Sequence, residues 1–159
     1  MASICNRVVR NVISLEASAT CADAARLMAH RGIGSVGVRR NGKLLGLVTE
    51  RDLVSAMAAG LDPAATPVLQ ALSPEAPVVS TQATDVECAH LMQARRTRHL
   101  AVREGADIVG VISMLDLVDL VVEEKEWSID QLETYIRGGR ARQLSQPITT
   151  VFHHEPVAS

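Results

Sequence analysis

Apolar positions recur along this chain at two periods, and the whole pattern occurs twice. Short apolar segments at 12–15 and 77–80 come first. Each is followed by a threonine with a carboxylate three positions on, Thr20 with Asp23 and Thr84 with Glu87. That spacing predicts a helix start, because hydroxyl and carboxylate each satisfy an orphan backbone donor of the first turn. Ala24, Leu27, Met28 and Arg31 then fall at helical spacing, and Cys88, Leu91 and Met92 repeat it. Two strand-like runs come next in each half, "SVGVRRNGKLLGLV" and "HLAVREGADIVGVI". Asn41-Gly42 marks a two-residue hairpin in the first run, and Glu104-Gly105 is its weaker counterpart. The second strand of each pair leads into a further helix, over 50–59 and 114–124.

Sliding the chain against itself by 64 residues aligns 13–54 with 77–118 without a gap. Ala19, Thr20, Ala25, Leu27, Met28, Arg31, Val38, Arg39, Gly46, Asp52, Leu53 and Val54 each meet an identical residue. Leu44 with Ile108, Val48 with Ile112 and Thr49 with Ser113 are conservative matches. An internal duplication follows. Each unit reads strand, helix, strand, strand, helix, so the expected fold class is α+β. A three-stranded sheet with two helices leaves one apolar sheet face open, and two copies packed pseudo-symmetrically would close it. Pro63, Pro67, Pro74 and Pro77 mark 61–76 as the linker.

The expected organisation is a first repeat with its N-terminal segment over 1–68 and a second over 69–126. A C-terminal helix over 127–139 follows, then a tail over 140–159 with no clear period. Ser128 is the expected cap of that helix, Ile129, Leu132, Tyr135 and Ile136 share one face, and Gly138-Gly139 is the expected stop.

Composition narrows the chemistry. In 159 residues, 47% apolar and 21% charged, there is one Trp, one Tyr and one Phe. The core is therefore aliphatic, and a base-stacking surface cannot be assembled. A net charge of −2 argues against a dedicated nucleic-acid or anionic-membrane partner. No apolar run reaches the length of a membrane span, and the first residues lack a signal-peptide core. Cys5, Cys21 and Cys88 form no CxxC pair, which points to a reduced, cytoplasmic protein. No nucleophile with a base, no paired catalytic carboxylates and no metal-ligand spacing is legible, so an enzyme is not expected.

The repeated heptapeptides "GLVTERD" and "GVISMLD" close the second strand of each unit. A tandem β-α-β-β-α unit ending twice in this glycine-apolar-apolar-hydroxyl-x-x-aspartate pattern resembles the CBS domain pair, or Bateman module. The likeness covers about 12–125. The run "RTRHLAVREGADIVGVISMLDLV" and the trailing "IDQLETYIRGG" resemble stand-alone bacterial members. The resemblance implies a regulatory module with two related sites for adenosine-containing ligands, AMP, ADP or ATP foremost, acting as regulatory ligands with no obligatory cofactor. It also implies a homodimer and a regulated protein partner.

By that resemblance Asp52 and Asp116 would accept the ribose hydroxyls, a task that suits the two oxygens of a carboxylate. Thr49 and Ser113 would meet ribose or phosphate oxygens beside the free amides of a helix start. Leu47, Val48, Val111 and Ile112, with Val36 and Leu100, would sandwich the adenine. Gly46 and Gly110 would let the backbone come close to the ligand. Arg98 and His99, following Arg95 and Arg96, are expected at the second site. Ser35 and Arg51 are expected at the first, so the second should hold phosphates better.

Other readings stand beside this one. Thr49 with Asp52 and Ser113 with Asp116 are also capping boxes, chemically like those at Thr20 and Thr84. If they are caps only, the chain is a ligand-free oligomerisation or adaptor module. A metal or redox sensor acting through His153-His154 or the cysteines is the third reading.

Overall fold

The helix starts anticipated at Thr20 and Thr84 are realised as reciprocal caps. Thr20 and Thr84 accept from the amides of Asp23 and Glu87, whose carboxylates accept from the threonine amides in return. These features are taken from a computed structural model, which describes residues 2–144.

The first repeat runs β1 (Ser14–Glu16), α1 (Cys21–Arg31), β2 (Ser35–Arg40), β3 (Lys43–Thr49) and α2 (Glu50–Ala58). The second runs β4 (Val78–Ser80), α3 (Asp85–Arg95), β5 (His99–Glu104), β6 (Asp107–Ser113) and α4 (Met114–Leu144). The fold is therefore α+β, two β-α-β-β-α repeats with a C-terminal helical extension. Each sheet has three strands, in the order β1-β2-β3 and β4-β5-β6, with the outer pair parallel and the hairpin antiparallel. Even the irregularities are duplicated, since the hairpin register shifts after Val38 in one sheet and after Val102 in the other. At the first hairpin Asn41 and Gly42 both take positive φ, the conformation an Asn-Gly turn demands.

Strand alternation gives each sheet two apolar faces. Val36, Val38 and Val48 point into one core with Ala24 and Met28 of α1 and Leu53 of α2. Leu100, Val102 and Ile112 do the same with Cys88 and Met92 of α3 and Leu117 of α4. The opposite faces meet between the repeats, where Val12, Leu47 and Ala101 are buried together with Leu44, Ile108 and Val111 against them.

Two straps complete these cores. Ile4, in a 3-10 turn over Ile4–Asn6, is fully buried in the second repeat, and Val68, in a turn over Val68–Ala71, is fully buried in the first. The N-terminal segment, grouped with the first repeat by chain order, thus packs on the second. Ser3 bridges to Thr84, as Pro67 bridges to Thr20. Buried Asp85 fastens this strap by accepting from the amides of Ala2 and Val86.

The chain divides into two units, Met1–Leu120 and Val121–Ser159. In the second, the helix expected over 127–139 is not separate: α4 continues through it to Leu144. Ser128 does not cap a new start. Its hydroxyl donates back to the Glu124 carbonyl at 2.9 Å, a bond made inside a helix, and Gly138-Gly139 does not end it. The expected tail begins inside α4 for 140–144, and 145–159, with His153 and His154, lies outside the described residues. Among the described residues no helix is long and apolar enough to cross a membrane.

Candidate functional site

The two heptapeptides occupy the junctions β3–α2 and β6–α4, and each lines a cleft. Their hydroxyls and carboxylates form caps like those of α1 and α3. Asp52 Oδ2 accepts from the Thr49 amide at 2.7 Å and hydroxyl at 2.6 Å, and Asp116 Oδ2 accepts the same pair from Ser113 at 2.7 and 2.6 Å. Both bonds fall on one oxygen. Oδ1 of each aspartate accepts from no group among the described residues. The cap therefore fixes the carboxylate through one oxygen and leaves the other unpaired among the described residues.

The helix starts are less open to an anion than the sequence suggests. The Glu50 amide donates to the Gly34 carbonyl at 3.1 Å and the Met114 amide to the Arg98 carbonyl at 2.8 Å. The Asp52 and Asp116 amides donate to the motif hydroxyls.

The clefts are assembled crosswise. Each combines the motif of one repeat with the helix-to-strand corner of the other. In the first cleft, about 280 Å³, Thr49 and Asp52 meet Arg95, Arg96, Arg98 and His99, with Ser73 and Glu75 ahead of β4. In the second, about 800 Å³, Ser113 and Asp116 meet Gly32, Ile33, Gly34 and Ser35, with Val9 and Asn11 ahead of β1. Arg95 and Arg96 therefore meet the first motif rather than the second, whereas Arg98 and His99, expected at the second site, line it as well as the first. Ser35, assigned to the first site, lines the second cleft. Among the described residues, only Gly34, Glu50, Arg98 and His99 line both. Nothing local to the sequence signals this exchange, because it arises from packing two pseudo-symmetric units face to face.

Several anticipated ligand contacts are instead core or strap contacts. Leu47 lines the first cleft and Val111 the second, but Val48 and Ile112, one residue on, point to the other sheet face and are fully buried. Val36 and Leu100 are fully buried in the same cores. Gly110 is bare because the N-terminal strap crosses it: a Cβ there would lie 2.5 Å from Val8 Cγ1 and 2.7 Å from the Val9 carbonyl oxygen. Gly46 faces Leu72 of the linker in the same way, at 2.9 Å. Neither glycine makes room for a ligand.

Four residues of the first cleft lack a like residue at the matching position of the other repeat. Arg96 caps α3 in the left-handed region (φ 50°) where the matching residue of α1 is Gly32, and its carbonyl accepts from Arg51 of the motif. Arg51 itself matches Leu115. Arg98 matches Gly34, and its guanidinium pairs with Glu50 at 3.0 Å, where the second repeat has Met114. His99 matches Ser35. Burial, and then the charge of Arg98, hold the His99 imidazole below its ordinary range, against the pull of the Glu50 and Asp116 carboxylates. The first cleft is thus rich in cations, and the second is walled mainly by Val12, Ile13, Met28, Ile33, Met114 and Leu115.

The two buried thiols are poor candidates for redox chemistry. Cys88 is buried and pushed up to about 11, first by desolvation, and Cys21 is raised for the same reason. Among the described residues no three His, Cys, Asp or Glu side chains gather as metal ligands.

Comparison with known proteins agrees with this architecture. The CBS domain family matches residues 3–59 and 68–123. The CBS domain-containing protein CBSX3, mitochondrial, of Arabidopsis thaliana is 31% identical over 126 residues, 76% of this chain. The chain spans only 61% of that relative's length. Among solved structures, a protein with CBS domains from Burkholderia ambifaria superposes with a TM-score of 0.64 at 32% identity, covering 72% of this chain and 85% of that one. A hexameric CBS-CP12 protein from bloom-forming cyanobacteria gives 0.62 at 26% identity, covering 94% and 91%.

Proposed function

This chain belongs to the CBS-domain family, whose tandem pairs are generally regulatory and non-catalytic, and from that premise we propose that it senses an adenosine-containing nucleotide. The observation that carries the reading is the half-used carboxylate. Asp52 and Asp116 each use one oxygen on the cap, leave Oδ1 unpaired among the described residues and line a cleft, which supports Oδ1 as the acceptor for a ribose hydroxyl. Capping and ligand binding are then successive uses of one side chain. The apolar wall of the second cleft suits a base, and the arginines of the first suit phosphates. AMP, ADP and ATP fit this division as regulatory ligands.

Occupancy would be passed on through the two motif helices. Val54 and Met57 of α2, and Leu115 and Val118 of α4, are exposed apolar residues on them. A second copy of the chain covering these residues would make a homodimer, and a cytoplasmic partner protein would read the altered surface. A ligand shifts such an arrangement only by binding one form better than another.

One observation favours the adaptor reading: the caps at Thr20 and Thr84 have the same bonds and line neither of the two clefts. A thermal-unfolding screen against AMP, ADP and ATP separates the two. A ligand at a hundred times its Kd adds about 2.7 kcal/mol to the native state, a rise of several degrees in Tm. Loss of that shift in Asp52→Ala or Asp116→Ala assigns it to a cleft. No shift with any of the three, in a well-folded protein purified free of nucleotide, rejects the sensor.

A further inference from the structure

Arg98 is tied to both motif helices at their first residues. Its carbonyl accepts from the Met114 amide at 2.8 Å, and its guanidinium pairs with the Glu50 carboxylate at 3.0 Å. It lines both clefts, and among the described residues it is the only arginine that lines the second. The first has Arg51, Arg95 and Arg96 besides. By pseudo-symmetry a second guanidinium belongs at Gly34, and none is there. Among the described residues, the two clefts therefore share one guanidinium at their common border.

The pair that holds this cation is weak. The side chains of Arg98 and Glu50 are 72% and 57% exposed. An ion pair so open to water exchanges readily for a better acceptor. A phosphate is one, because it offers the guanidinium two parallel charge-assisted bonds. Once a phosphate takes Arg98, Glu50 is left as a bare carboxylate facing both clefts. A second anionic ligand then loses its cation and gains a repulsion, whereas an uncharged nucleoside loses neither.

We propose that Arg98 is a shared phosphate ligand, granted to one cleft at a time by release from Glu50, so that the two clefts bind phosphate-bearing ligands with negative cooperativity. The proposal rests on the nucleotide reading above and adds its regulation. ATP in the first cleft weakens ATP binding in the second and leaves adenosine binding there unchanged.

Calorimetric titration of the full chain with ATP, and with adenosine in the presence and absence of saturating ATP, tests this. Asp52→Ala and Asp116→Ala serve as single-cleft references. The expected wild-type result is a second ATP step about tenfold weaker than the matching isolated cleft, within the usual range for coupled sites. In Arg98→Gln the two steps should equal those of the isolated clefts measured in the same background. Glu50→Gln, an exposed substitution that leaves the fold intact, should tighten the first ATP step several-fold by freeing the guanidinium. Two ATP molecules binding independently to the wild type would overturn the sharing while leaving the nucleotide reading in place. So would a difference that survives Arg98→Gln, or ATP binding in only one of the two single-cleft variants. Binding of neither ATP nor adenosine to any form would overturn both.

Discussion

The two clefts are built on one plan and furnished with different chemistry. Motif, helix-to-strand corner and pre-strand segment recur at the same offset, and the caps agree to within 0.1 Å. What differs is the charge of the rims. Arg51, Arg96 and Arg98 stand where the second cleft has Leu115, Gly32 and Gly34. Duplication preserved the scaffold residues, whose exchange would disturb folding, and left the rims free to diverge. The lesson is that equivalent position does not imply equivalent role, and the comparison can be tested at its scaffold as well as at its rims.

The largest effect should come from the motif glycines. A methyl at Gly110 would meet the Val9 carbonyl, which is backbone and cannot swing aside, whereas at Gly46 it would meet the tip of the Leu72 side chain. Gly110→Ala should therefore cost about 3 kcal/mol and Gly46→Ala about 1 kcal/mol, the span usual for overpacking. Urea denaturation at constant slope reads both. Equal costs would mean that the N-terminal strap does not bear on the second repeat as closely as Gly110 implies.

How much of this was legible in the chain follows from what is local. Thr20 with Asp23, Thr84 with Glu87 and Asn41-Gly42 specify their own caps and turn within a few residues, so the repeats and their α+β order could be read directly. Val48 and Ile112 could be placed in strands, but which strand face meets the ligand depends on which sheet lies opposite. The crosswise clefts, the partnership of Gly110 with the strap, and the continuity of α4 past Ser128 all depend on tertiary context. Arg96, aligned with the helix-ending Gly32, marks a place where local conformational cost was accepted.

That cost gives the next prediction. Arg96 occupies the left-handed region at φ 50°, which a β-carbon disfavours by roughly 1 kcal/mol. Arg96→Gly should stabilise the protein by about 1 kcal/mol, since glycine adopts this conformation freely. If the rim is built for phosphates, the same variant should bind ATP more weakly while binding adenosine as before. A stabilised variant with unchanged ATP affinity would reduce Arg96 to a cap.

A smaller effect distinguishes His99 from Ser35. The imidazole titrates below its ordinary value of 6.5, so below that pH the unfolded chain binds the proton more readily than the folded one. Stability should be fully present above pH 6.5 and decline as the pH falls through and below it. His99→Gln should flatten this part of the profile. Glu50→Gln should lower the His99 midpoint further, because the Glu50 carboxylate acts to raise it. Proton NMR of the imidazole measures the midpoint, and an upward move would show that Arg98, once released, had left the histidine.

The smallest effect belongs to the Glu50–Arg98 pair, and its smallness carries an argument. A double-mutant cycle on Glu50→Gln and Arg98→Gln should return no more than about 0.5 kcal/mol of coupling in the free protein, falling with added salt. A pair worth much more would hold Arg98 against a phosphate and could not act as a loan between the clefts. A weak pair at their common border is the arrangement that lets ligand charge, rather than protein stability, decide where the guanidinium goes.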